Sequence, residues 1–305
     1  MVILFSTILL VYGKVNFTNL GRYSSGSEKT YRRHFFKSFD FPEFNKAFIN
    51  QSLDRERTLI AVIDCSFIPK SGKKTEGKAS FYNGVQSRHS EGLEISVISV
   101  VEVETHLSYS LSVQQTPWRP PTELPKNPVT TKLKKHSKKR TKKIIQSSST
   151  PEWTRVDDYA KHLKNTRSLL PESVRYLVAD GYYCRAKFCQ AVRDTELNLI
   201  SKLRSNADLN YIYTGERNKR GAPKKYDGKV DCNNLKNSIF VKIIKPDVNL
   251  YSLVVWSCCL KCKIRLAVIS ELQPNGQIKN ILLFSTDINL PAEQILSLLP
   301  GTFPD

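Results

Sequence analysis

The sequence predicts an α/β protein: a mixed sheet with flanking helices, interrupted by a β-rich insertion and preceded by a small helical region. Three observations carry this. Short apolar runs rich in β-branched residues, above all Leu59-Ile60-Ala61-Val62-Ile63, are too short for helices and read as buried strands. Helical and strand patterns alternate between residues 152 and 203, which calls for a mixed sheet. From Ser205 onward, short apolar runs separated by turn signals have the texture of a β-rich insertion.

In chain order, residues 2–23 read as a helix that Ser24-Ser25-Gly26-Ser27 interrupts. A second helix follows, with Ser27 as N-cap and Glu28 in its first turn. The pair is a helix-turn-helix candidate, with Lys29, Arg32, Arg33 and Lys37 available for phosphates and Tyr31, Phe35 and Phe36 expected to pack inward. A short helix over 39–53 precedes the apolar strand, which is expected to end on Asp64. Residues 77–84 read as a strand closed by an Asn-Gly turn signal, and 92–103 as a strand lying beside the first. Residues 114–150 are rich in Pro and then in Lys and Arg, without apolar periodicity, so they read both as a solvated linker and as a basic arm for a phosphate backbone. Helical spacing returns over 152–169, with Trp153, Val156, Tyr159, Ala160 and Leu163 on one face. A strand over 174–179 ends on Asp180. A turn at 181–183, a helix through Phe188 and Val192, and a strand over 198–203 follow. Strands are then expected at 238–244, 250–257, 264–270 and 278–285, and a helix starts near Leu290. The expected division is a DNA-binding helical region over 1–55, an α/β core over 56–204, the insertion over 205–286 and a terminal core helix beginning within 287–305.

The formal charge of +19, from 47 Lys and Arg against 28 Asp and Glu, is self-repulsive unless something anionic shares it. Nucleic acid is the first candidate partner and an anionic membrane surface the second. The apolar start, residues 1–12, lacks a basic leader and a small-residue cleavage site, and it is shorter than the roughly 20 residues of a membrane span. It is therefore expected to be a core-facing helix whose natural beginning is missing, in a soluble protein without a membrane partner. Seven cysteines without framework spacing point to reduced thiols in a cytosol.

Two apolar strands that each run into an aspartate, in so basic a chain, suggest phosphoryl chemistry. A desolvated carboxylate needs a partner, and carboxylates converging from neighbouring strands can hold the hard divalent ions that stabilise attacking and leaving oxygens. Other constellations are weaker. Cys258-Cys259-x-x-Cys262 lacks a second pair for a structural zinc and reads as thiols in β segments. Trp256 is expected in core packing, with base stacking as its alternative.

The segments AVIDCSFIPKSGKKTEGKASFYNG, RHSEGLEISVISVVEV, RYLVADGYYCRAKF and LISKLRSNADLNYIYTG, with RGAPKKYDGKVD beyond, resemble DDE transposases of bacterial insertion sequences, in the family named for insertion sequence four. The resemblance runs from about Gly13 to Asp287. It implies a ribonuclease-H-like core with a β-rich insertion after the fifth strand, Mg²⁺ or Mn²⁺ (two ions in an intact site), double-stranded DNA as transposon end and target, and a bacterial cytoplasmic, nucleoid-associated protein. A homodimer on DNA is the matching assembly. Asp64 corresponds to the first acid and Asp180 to the second, both catalytic and metal-binding. Lys70, Lys73 and Lys74 match a basic loop, and Arg217, Arg220, Lys224 and Lys225 lie in a Gly-Pro-basic loop with the same DNA-contacting role.

The family's third acid is a glutamate in a helical motif of the form Y-x2-R-x3-E-x6-K after the insertion. Here the chain reads Pro300-Gly301-Thr302-Phe303-Pro304-Asp305 instead, so a truncation before the motif is expected. Glu293 and Glu271 are poor substitutes: the first is explained by a helix dipole and the second lies in a strand. The expectation is a transposase by ancestry, catalytically incomplete, holding one ion or none. A non-catalytic DNA-binding remnant and a ribonuclease-H-like nuclease are the alternatives.

Overall fold

The computed structural model describes residues 2–54, 56–72, 74–118, 153–216, 223–235 and 239–299. It forms two compact units, Met1–Phe44 and Asn45–Asp305.

In the first unit the helix expected over 2–23 is two helices, α1 (Val2–Leu10) and α2 (Phe17–Arg22). Gly13 takes φ +91°, which breaks the first, and the Asn16 side chain accepts from the Asn19 N–H at 2.8 Å to start the second. Helix α3 (Glu28–Phe35) begins as the sequence requires, with Ser27 Oγ accepting from the Thr30 N–H at 3.2 Å. Its rings do not pack inward as expected: Phe35 is 72% and Phe36 85% exposed. The helix has only two turns and these rings sit at its fraying end, stacked edge-on against Phe17 and each other. Tyr31 instead turns its hydroxyl to Ser24 Oγ at 2.5 Å.

Helix α4 (Phe41–Ser52) leads into the second unit, where a single sheet gathers all twelve strands found among the described residues. Its first part comprises β1 (Leu59–Pro69), β2 (Ala79–Asn83), β3 (Arg88–Glu102), β4 (Leu107–Gln115), β5 (Tyr176–Ala179) and β6 (Asn198–Leu203). Strand β3 pairs antiparallel with β1, β2 and β4, and β5 lies parallel between β1 and β6. The resulting path β4-β3-β1-β5-β6 is compatible with a ribonuclease-H-like core. The expected β2–β3 hairpin forms across Asn83↔Arg88. Strand β1 does not stop at Asp64 but runs five residues further, because β3 is long enough to pair it as far as Pro69↔Gly92.

Strands β7 (Leu209–Ile212), β8 (Tyr226–Lys229), β9 (Phe240–Lys245), β10 (Val248–Ser257), β11 (Cys262–Leu272) and β12 (Ile278–Ser285) continue the same sheet. Strand β12 closes on β6 from Leu282↔Leu203 to Ser285↔Ile200, so the segment after β6 returns to the core through backbone hydrogen bonds.

Strand alternation sorts the core into two faces. One carries Ala61, Ile63, Leu177, Ala179 and Leu199 beneath helices α5 (Arg155–Thr166) and α6 (Ala186–Arg193). The other carries Ile60, Val62, Val178, Ile200 and Leu283 and receives α7 (Ala292–Ser297), whose Ile295 is completely buried. Each buried aliphatic or aromatic side chain contributes about 1.5–3 kcal/mol of transfer free energy. Trp153 lies outside α5 rather than on its inner face, donating from Nε1 to Asp158 at 2.9 Å.

Candidate active site

The parallel ladder between β1 and β5 ends at the pair Ile63↔Ala179. The next residue on each strand is an aspartate: Asp64 on β1, Asp180 just past β5. Equal displacement in a parallel register puts both side chains on one face, the one shared with Val62 and Val178. Adjacent strands lie about 4.8 Å apart, so the two carboxylates are neighbours. Asp64 Oδ1 accepts from the Cys65 N–H at 2.8 Å. Asp180 precedes a 3₁₀ turn, Gly181–Tyr183, without spending its side chain on the cap. Glycine at 181 suits this close approach, because a Cβ there would lie 3.0 Å from the Lys202 carbonyl oxygen.

The electrostatics record the same juxtaposition. Burial pushes the Asp64 carboxyl above its usual range, the Cys65 amide pulls it back, and the charge of Asp180 pushes it up again. Asp64 as a whole is solvent-exposed, so this burial is the flanking mass of the sheet on one side rather than enclosure. The paired, enclosed carboxylate foreseen at a strand end is instead an open one facing a like charge.

A second cluster lies across the sheet from this pair. Glu94, 5% exposed on β3, accepts from Tyr159 Oη at 2.6 Å and Arg155 Nη1 at 3.3 Å. Cys65 and Tyr183, each close in sequence to one of the aspartates, lie against it: the charge of Glu94 raises the Cys65 thiol after burial, and the Tyr183 hydroxyl sits beside that thiol without forming a good hydrogen bond. Sequence reasoning passed over Glu94. The available signal was its parity in β3: it shares the alternation of Ser96, Ile98 and Val100, so a charge stood where the pattern demands burial.

A family model described as DDE superfamily endonuclease matches residues 43–237, with both aspartates inside the match. The chain belongs to the DDE superfamily endonucleases. No curated protein matches it. Membership in this DDE family implies DNA as substrate. Two carboxylates with free outer lone pairs and mutual repulsion fit a hard divalent cation as part of a donor set completed by water. Among the described residues, no group of three His, Cys, Asp or Glu side chains stands ready to hold a metal ion. Glu293 sits on α7, which packs over β10, β11 and β12, and Glu271 pairs with Val248 and Lys279; neither contributes to the field at Asp64.

The basic residues of this DDE endonuclease lie elsewhere. Because β1 continues past Asp64, exposed Lys70 is carried about 20 Å along the strand from it, and Lys74 follows in the next turn. Lys29 and Arg33 are exposed on α3, whereas Arg32 is tied to Glu28 at 2.7 Å and stacks over Phe17. Lys224 pairs with Asp227 at 2.7 Å and lies over Tyr213, and Lys225 beside it is exposed. Lys73, Arg217, Arg220 and all but the first five residues of the 114–150 arm lie outside the described residues. Trp256 is half-buried and meets Tyr226 at 5.9 Å instead of joining either core. Cys262 is buried 3.8 Å from Cys189, and Cys258 accepts from Asn210 at 3.0 Å. No helix among the described residues is long and apolar enough to cross a membrane.

Proposed function

We propose that this chain performs transposase-type DNA phosphoryl transfer of the insertion-sequence-four kind, with Asp64 and Asp180 as the two acids that hold divalent metal. One observation carries the reading: the two aspartates leave adjacent parallel strands one residue beyond the same ladder pair, on the same face. Family membership supports it. When bound, Mg²⁺ or Mn²⁺ supplies Lewis acidity at phosphorus and acidifies coordinated water. The chain's part is to present two carboxylates from adjacent strands and leave one side of them open to a phosphodiester. In the reaction, water attacks phosphorus, the P–O3′ bond breaks and a 3′-hydroxyl is released. That hydroxyl then attacks a phosphodiester of target DNA, forming a new P–O bond as the target's own P–O3′ bond breaks and its 3′-hydroxyl departs.

We further propose that turnover by these two acids is slow, because no third acid joins them among the described residues. The reading of the helical residues 1–55 as a DNA-contacting region, of 205–286 as the family's insertion, and of a bacterial nucleoid location belongs to the same proposal. The test is Mn²⁺- or Mg²⁺-dependent nicking of duplexes carrying candidate element ends, by the chain alone and fused to a helix of the form Y-x2-R-x3-E-x6-K. Nicking by the fusion that Asp64→Asn and Asp180→Asn each abolish supports the site. Nicking insensitive to both substitutions refutes it, and vigorous nicking by the unfused chain refutes the slow-turnover claim. DNA binding that survives both substitutions, with no nicking in any form, favours a non-catalytic DNA-binding role.

A further inference from the structure

The ladder that sets the strand separation stops one residue short of both acids. Asp180 already belongs to the approach to a turn, where no β-pairing fixes it relative to Asp64. Their spacing must come from something beyond the ladder, and the opposite face of the sheet supplies it. Cys65 follows Asp64 directly, and Tyr183 closes the turn that Asp180 opens, through its N–H to the Asp180 carbonyl at 3.0 Å. The ring of Tyr159 lies 5.2 Å from that of Tyr183, and Cys65 packs against the same buried cluster, with the Tyr159 hydroxyl acting on its thiol. Tyr159 is 1% exposed and Tyr183 fully buried, so neither ring has room to drift.

Tyr159 is in turn fastened at its far end. Its hydroxyl donates to Glu94 at 2.6 Å, the short distance of a hydrogen bond to a carboxylate, and Arg155 occupies the other Glu94 oxygen at 3.3 Å. The Arg155 guanidinium also lies 5.0 Å over the Phe81 ring, which ties the cluster to β2. A carboxylate this deeply buried on a strand is costly unless its partners hold it, and here both partners come from α5. The cluster therefore joins β3, α5, the residue after Asp64 and the turn after Asp180 in one packed unit.

We propose that Glu94, Tyr159 and Arg155 are positioning residues that fix the separation of Asp64 and Asp180 from the far side of the sheet. This rests on the reading of those aspartates as the metal-holding pair. Supporting side chains of this kind, placed behind ligands, change metal affinity by about 10–100-fold when removed.

The experiment is a Mn²⁺ titration of the full chain, following free Mn²⁺ by electron paramagnetic resonance, beside thermal melts. Asp64→Asn establishes which binding belongs to the pair. Tyr159→Phe keeps the ring and removes only the hydroxyl, and it is expected to weaken that binding about 10-fold. Glu94→Gln takes the charge from the acceptor that Tyr159 and Arg155 share and is expected to weaken that binding in the same direction, parent-like affinity counting against the proposal. Ser112→Ala removes a comparable buried hydrogen bond, to His162 at 2.9 Å, and should leave affinity unchanged. Parent-like affinity in Tyr159→Phe overturns the proposal, as does equal weakening by Ser112→Ala. Should the parent chain show no Asp64-dependent binding, the reading of the pair as a metal site falls, and the positioning claim is decided without metal. Asp64→Asn then relieves repulsion from Asp180, and its gain in melting temperature should shrink in the Tyr159→Phe background. An undiminished gain overturns the claim.

Discussion

Asp64 faces a like charge and the mass of the sheet, and both raise its pKa. The folded state thus favours the protonated acid. Its contribution to stability is fully present below the ordinary pKa of 3.8 and is lost as pH rises through the raised value. Asp64→Asn should therefore stabilise the chain at neutral pH and not below pH 3.8, by less than about 1 kcal/mol, since water screens an exposed group. Melts at the two pH values check this. His162 has the opposite dependence. It is 2% exposed between Ser96 and Ser112, each 2.9 Å from a ring nitrogen, and burial lowers its pKa from 6.5 to about 4. Its contribution is present above pH 6.5 and lost as pH falls toward 4, worth about 3 kcal/mol in all. Urea unfolding at intervals across that window should show the decline, and His162→Gln should flatten it. At this scale the sequence was half legible. Asp64 and Asp180 could be picked out because each follows an apolar run. The cluster behind them could not be assembled, because Glu94 and Tyr159 are brought together by a helix crossing a strand 65 residues earlier in the chain.

Among the elements, the turn after β5 and the helix α7 make the sharpest claims. Gly181→Ala places a methyl 3.0 Å from a backbone oxygen that cannot swing aside, so the turn must shift and carry Asp180 with it. The expected result is a several-fold loss of Mn²⁺ affinity with a stability cost of about 1 kcal/mol, read by titration and melting on the same sample. Ile295→Ala on α7 should cost about 2–4 kcal/mol, since Ile295 is completely buried against the second face and leaves a cavity there. Strand β6 and the four strands β9, β10, β11 and β12, with their strong apolar runs, were legible from period and turn signals. The strands β4, β7 and β8 went unread. Strand β4 carried a signal, the period-2 alternation Leu107-Ser108-Tyr109-Ser110-Leu111-Ser112-Val113, whereas four-residue segments such as Tyr226-Asp227-Gly228-Lys229 become strands only because neighbouring strands offer hydrogen bonds, which local pattern cannot report. For the same reason β1 outran its apolar run: the partner β3, rather than hydropathy, decided its length.

Over the whole molecule, a charge of +19 implies binding to DNA that weakens steeply with salt. Substituting Lys70 and Lys74 together by Gln should lower the slope of log affinity against log salt by about 2 if both contact phosphate, as fluorescence anisotropy on a duplex would show. An unchanged slope would place the contacts elsewhere. Charge, and the pairing of β3 beside β1, were open to sequence reasoning because they follow from composition and from the succession of apolar runs. The union of β6 with β12 was not, since nothing local distinguishes a segment that forms its own sheet from one that returns to an existing one. That seam has a consequence for biogenesis. Leu203 and Leu282 pair across roughly 80 residues of intervening chain, which a ribosome adds in about 4–16 s at ordinary rates. For that interval the hydrogen-bonding edge of β6, beside the two acids' own strands, stands bare to any other nascent chain. Yield from high-level expression should therefore be limited by edge-to-edge association rather than by final stability, and lowering the expression level, which thins out the competing nascent chains, should recover it.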